Sequence, residues 1–154
     1  VVYQTATGSF GTASQKVRVT NTTATATWTL SLAPASGATA VWDSAGTDYD
    51  FNDPTTSAGD GGDADSVGGQ MTVNASAGTI TPEGGCASTG LTKGSSSAFS
   101  QGVTDSITLL TAGGTAETGC YWDFTGISIS QTIPAEQPAA SDYDINMTLS
   151  AVAS

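Results

Sequence analysis

The chain has 154 residues, a formal net charge of −11 and 11 % charged residues, against about 25 % in ordinary soluble domains. Lys16, Arg18 and Lys93 are its only bases and it contains no histidine, which excludes a basic nucleic-acid footprint and closes imidazole acid–base, Ser-His-Asp and Cys-His chemistry. Such a length suits one domain that buries its own core.

Gly, Ser, Thr and Ala fill the space between short apolar runs, and Leu, Glu and Lys are scarce, so the texture is all-β. No window approaches the roughly 18 apolar residues a membrane helix needs. The start at Val1 is taken as a mature form from which any export signal has been removed, and the protein is expected outside the cell or on its surface.

Residues 1–13 are extended in composition and weakly patterned, with Tyr3 and Phe10 on opposite parity. They are expected either to pair within the fold or to be donated to a neighbouring subunit. Val17 and Val19 alternate with Lys16 and Arg18, and Ala24, Ala26, Trp28, Leu30 and Leu32 alternate with Thr and Ser in the longest run of period two, a central strand. Pro34 closes that run and Ala40-Val41-Trp42 is a short strand. Met71 to Val73 and Gly78 to Ile80 resume strand texture until Pro82, and Ser106 to Leu110 turns Ile107 and Leu109 inward.

Trp122 and Phe124, then Ile127 and Ile129, keep the alternation, but their parity slips at Thr125-Gly126, the mark of a β-bulge. Pro134 and Pro138 mark a crossing to a final strand, in which Tyr143, Ile145, Met147 and Leu149 face inward beside the Trp122 to Ser130 segment. About eight short strands separated by turns predict an antiparallel β-sandwich, jelly-roll or immunoglobulin-like, over residues 14–154.

Cys86 and Cys120 are the only cysteines. Their even number and wide spacing predict a disulfide rather than a redox or zinc motif. Half of the acidic residues fall between Asp43 and Asp65. Asp48, Asp50, Asn52 and Asp53, with Asp60, Asp63 and Asp65, form an oxygen-rich loop that either stays solvated or binds calcium, the one cofactor the residues suggest.

Asn21, Asn74 and Asn146 each open an Asn-x-Ser/Thr sequon, where a glycan would attach. Trp28 and Trp122 belong to the core by parity, which leaves Trp42 as the surface candidate for stacking on a ligand. Glu83, Glu117 and Glu136 sit in turns with no glycosidase spacing, so no enzyme is expected.

Trp28-Thr29-Leu30 in its long alternating strand, with Gln131 to Tyr143 leading into the last strand, resembles the WxL-type surface domains of Gram-positive bacteria. That resemblance implies a secreted β-rich module that associates with the cell wall. Where those domains carry a second Trp-x-Leu, this chain has Met147-Thr148-Leu149. The Thr-, Ala- and Gly-rich texture ending in an amphipathic strand also resembles TasA-like and archaeal bundling-pilus subunits, which implies an N-terminal strand that completes the next subunit.

The expected function is therefore a structural subunit of an extracellular filament, self-assembled by donor-strand complementation through Val1, Val2, Tyr3 and Phe10. The alternative is a monomeric adhesive or carbohydrate-binding module whose surface includes Trp42 and which contacts cell-wall or glycan partners.

Overall fold

The computed structural model describes residues 2–55, 68–135 and 137–154. Among them the fold is all-β, with thirteen strands rather than the expected eight. They are β1 Gln4–Phe10, β2 Val17–Asn21, β3 Trp28–Pro34, β4 Val41–Trp42, β5 Tyr49–Asp50, β6 Gln70–Asn74, β7 Thr79–Glu83, β8 Leu91–Lys93, β9 Ser96–Ala98, β10 Ile107–Ala112, β11 Cys120–Thr125, β12 Ile127–Ile133 and β13 Met147–Ala153. A single 3-10 turn, Ala75–Ala77, joins β6 to β7.

The strands form antiparallel sheets in the orders β1-β12-β6-β9, β13-β3-β10-β8 and β2-β11-β7, with β4 and β5 as a separate pair. The first and third of these follow one another along the chain. β1 leads to β2, β6 to β7 and β11 to β12, so three strand pairs turn one corner together. The parity slip at Thr125-Gly126, expected as a bulge within one strand, is instead that corner: β11 ends at Thr125 and β12 begins at Ile127 in another sheet. Gly126, at φ +72°, donates its backbone N–H to the carbonyl oxygen of Gly11 at 2.8 Å, and Gly11, at φ +75°, passes close under β11. A β-carbon on Gly11 would lie 2.7 Å from the Phe124 carbonyl oxygen, so the turn requires glycine on both counts.

Twelve of the expected inward residues meet in one buried cluster, whereas in the last segment Ile145 and Met147 are only partly buried against it and Leu149 is exposed. Val17, Val19, Trp28, Leu30, Leu32, Met71, Val73, Ile107, Leu109, Trp122, Phe124 and Ile127 all belong to it. Trp28 and Trp122 pack with ring centroids 5.7 Å apart, which places both in the core as their parity predicts. A register shift between Thr108 and Leu110 lets Leu109 and Leu110 both be buried, which strict alternation would forbid.

Three expectations are corrected. β7 continues through Pro82 to Glu83, because it is an edge strand and the missing N–H of proline faces outward from its ladder. The long alternating run becomes a strand only at Trp28, since Asn21 folds the preceding residues into a turn: its amide donates to the Thr25 carbonyl and its Oδ1 accepts from the Thr23 N–H and hydroxyl. The final strand begins at Met147, and it pairs with β3 rather than with the segment before it. The crossing marked by Pro134 and Pro138 carries the chain to the other sheet.

Candidate strand-docking groove

The two ends of the chain supply two sheet edges. β1 lies outside β12 in the register Gln4↔Ile133 to Phe10↔Ile127, and β13 lies outside β3 in the register Met147↔Pro34 to Ala153↔Trp28. Cross-strand partners share a face, so Gln4, Ala6, Gly8 and Phe10 look inward with Ile133, Gln131, Ile129 and Ile127. Ala6 and Gly8 fill little of that space. Gln4 to Ser9 are all exposed, and only Phe10 packs against the core.

An apolar groove follows from this on the side between β1 and β13. One hollow of about 410 Å³ lies against Ala6 and Gly8 and is bounded by Trp42, Tyr49, Ile129 and Tyr143. An adjoining hollow of about 320 Å³ shares Trp42 and Ile129 and reaches Phe10, Met147 and Leu149. Leu149 is the inward partner of Leu32, yet it is 43 % exposed because β1 does not reach across to cover it. A wider cleft beyond Phe10 and Leu149 extends the groove to Val17 and Lys16.

The aromatic wall is held from behind. Tyr49 is buried, stacks on Trp42 at 6.1 Å and meets the edge of Tyr143 at 5.1 Å. Burial, with Tyr143 nearby, pushes the Tyr49 phenol up to about 12. The Tyr143 hydroxyl donates to the Pro138 carbonyl and accepts from Gln137. Asp142 anchors the adjoining loop by accepting from the Ala45 N–H and the Ser44 hydroxyl, and these bonds hold its carboxyl below the usual range. Two polar atoms at the groove have no partner among the described residues: Gln131 Oε1, on a residue 4 % exposed, and Trp42 Nε1.

The opposite end is set by one ion cluster. Asp123 is buried on β11 and receives Arg18 Nε at 2.6 Å and Lys16 Nζ at 2.9 Å. Hydrogen bonds from Arg18 and then Lys16 keep its carboxyl well below the usual carboxylate range. Arg18 also lies 4.9 Å from the centre of the Tyr121 ring. Two of the three basic residues thus share one carboxylate, so the cluster keeps a single net positive charge.

The other expected site residues fall in several places. Cys86 and Cys120 form the disulfide, with Cα atoms 5.9 Å apart. Glu117 accepts from the Ala87 N–H at 2.6 Å beside it, and Trp122 Nε1 donates to the Ala87 carbonyl. In the acidic stretch, Asp48 accepts from the Ser44 N–H, Asp53 closes a turn on Thr55, and Asp50 pairs with Val41 in the β4–β5 ladder. Asn52 is 1 % exposed and donates to the Ala38 carbonyl. Asp60, Asp63, Asp65, Val1 and the Glu136 side chain lie outside the described residues.

Among the described residues the one grouping of metal-ligand type is Cys86, Glu117 and Cys120, whose sulfurs are already joined to each other. Asn21 is 6 % exposed and spends its amide on its turn, Asn74 accepts from the Ser76 hydroxyl, and Asn146 is exposed just before β13. No described helix is long and apolar enough to cross a membrane. Val2 and Tyr3 are 66 % and 45 % exposed at the head of β1. The groove itself has no motif in the sequence; its one signal is that Ala6 and Gly8 share the parity of Phe10. Comparison with protein-family models, curated proteins and solved structures finds no match.

Proposed function

We propose that this chain is a structural subunit of an extracellular fibre, a β-sandwich of jelly-roll or immunoglobulin-like type whose N-terminal strand is exchanged between copies. The observation that carries this reading is the character of β1. It is seven residues long, pairs among the described residues with β12 alone, and leaves every side chain but Phe10 outside the core. A strand held by its backbone ladder can leave one β12 and join another with the same bonds and little loss of packing.

Exchange in a head-to-tail sense does not close on itself unless the rotation allows, so it extends into a fibre. Its hinge is the segment from Gly11 to Lys16, where glycine supplies the conformational range. The disulfide suits an oxidising compartment outside the cell. No catalytic group is needed for such a role, and calcium and glycans are not required by it.

Negative-stain microscopy and size-exclusion chromatography of the whole chain, beside a chain lacking residues 1–9, test the proposal. Fibres or high oligomers that vanish on truncation are the expected result. A monomer at every concentration, identical with and without those residues, overturns it.

A further inference from the structure

We infer that the groove between β1 and β13 holds a long-chain fatty acid, with its acyl chain between the two sheets and its carboxylate at Lys16 and Arg18. This binding is independent of the exchange of β1, because a strand supplied by any copy in the same register builds the same wall.

The three hollows of the groove are continuous. The two at the aromatic wall share Trp42 and Ile129, and Phe10 and Leu149 join the second of them to the cleft that ends at Lys16 and Arg18. The middle hollow is walled by both sheets, with Phe10, Met71 and Ile129 from one and Leu32, Met147 and Leu149 from the other. An occupant that spans all three must therefore be long and narrow. It must also be apolar along its length. A peptide threaded there would bring an N–H and a C=O at every residue with only apolar side chains to meet them, and each unpaired group costs free energy. A polymethylene chain brings no such group.

Charge places the head. Among the described residues no carboxylate lines any of the three hollows, in a chain with 14 acidic residues, and the ionised side chains on their walls are Lys16 and Arg18. These two share the buried Asp123, so one positive charge is left uncompensated at that end of the groove. Lys16 Nζ gives one N–H to Asp123 and Arg18 gives those of Nε and Nη2, so both keep donors for a second anion. Their side chains are 40 % and 48 % exposed, open to such a group. A small free anion is repelled by the chain at large, at net charge −11. An anion carried on an apolar tail is held by the tail, and the groove offers the two environments end to end.

Displacement of the fluorescent fatty acid cis-parinarate from the whole chain by palmitate, below the concentration at which palmitate forms micelles, tests the assignment. Palmitate should displace it with single-site saturation. Methyl palmitate, which lacks the charge, should bind roughly tenfold or more weakly, the worth of a hydrogen bond to a charged group. Lys16→Gln should weaken palmitate by a similar factor and bring it level with the methyl ester, while Arg18 still pairs with Asp123. Gly8→Leu should weaken both ligands roughly tenfold or more. Gly8 looks into the hollow beside Ile129, and a β-carbon there meets no atom within 4 Å, so the leucine fills the space without straining the strand. Thr5→Leu, of the opposite parity on the same strand, should change nothing, and all three variants should keep the parent circular dichroism.

No displacement by palmitate, equal binding of methyl palmitate, or binding indifferent to Gly8→Leu would overturn the inference. Fibres are read by microscopy on the same protein, so loss of either property with the other intact tells the fatty-acid site from strand exchange.

Discussion

Removing residues 1–9 should leave the domain folded, at a cost smaller than that of one core truncation. The strand lost is Gln4 to Ser9, all of it exposed. Its ladder bonds to β12 contribute about 0.5–1.5 kcal/mol each in net terms, against about 1–2 kcal/mol per residue for ordering the backbone, so the two nearly cancel. What remains is the cover β1 gives to Ile129 and Gln131. That is comparable to burying one aliphatic side chain, about 1.5–3 kcal/mol.

Trp122→Ala or Phe124→Ala, at positions with 0 % exposure, should cost about 3–5 kcal/mol. Equilibrium urea unfolding followed by far-ultraviolet circular dichroism compares them directly, since a backbone signal survives the loss of Trp122. A truncated chain that loses as much stability as Phe124→Ala, or that no longer unfolds cooperatively, would show β1 to be part of the core and refute its release.

Replacing Cys86 and Cys120 by Ser should lower stability by about 3.8 kcal/mol, the chain-entropy value for the 34-residue separation; a loss under 1 kcal/mol by chemical denaturation would contradict it. Gly11→Ala should be destabilising by about 1–3 kcal/mol, read from the shift in melting temperature, because the residue sits at φ +75° against the Phe124 carbonyl; an unchanged midpoint would remove the steric argument for the corner. The folded-state pKa of Asp123 lies below its unfolded value, so its contribution is present above the usual carboxylate range and is lost as pH falls through the folded pKa. Acid also relieves the repulsion of a −11 chain, so the effect of Asp123 is the difference between parent and Asp123→Asn. That difference should be large at neutral pH and shrink below about pH 4, and a difference constant down to pH 2 would count against the ion cluster.

What was legible in the sequence was what side-chain period records. Val17, Val19, Trp28, Leu30, Leu32, Met71, Val73 and Ile107 are buried where alternation put them, and the slip at Thr125-Gly126 marks the sheet corner. Pairing partners were not legible, because period tells which face is buried and not which strand lies beside it; β13 was expected next to β12 and lies on β3. The acidic stretch hid Tyr49, Phe51 and Asn52, all buried, because charge density there masks a short apolar alternation. The groove was invisible for a different reason. It arises where Ala6 and Gly8 fail to fill the space before Trp42 and Ile129, and only the fold brings those residues together.

Strand exchange is tested most directly by a cross-link across the β1–β12 ladder, where Ser9 stands opposite Ser128. Both native cysteines are joined to each other, so new thiols report only on each other. One protein carries Ser9→Cys and a second carries Ser128→Cys; they are mixed, allowed to assemble and oxidised. Exchange predicts a covalent heterodimer, and a ladder of multimers when both substitutions sit in one chain. Monomer alone from the mixture, with a purely intramolecular bond in the double variant, would contradict it.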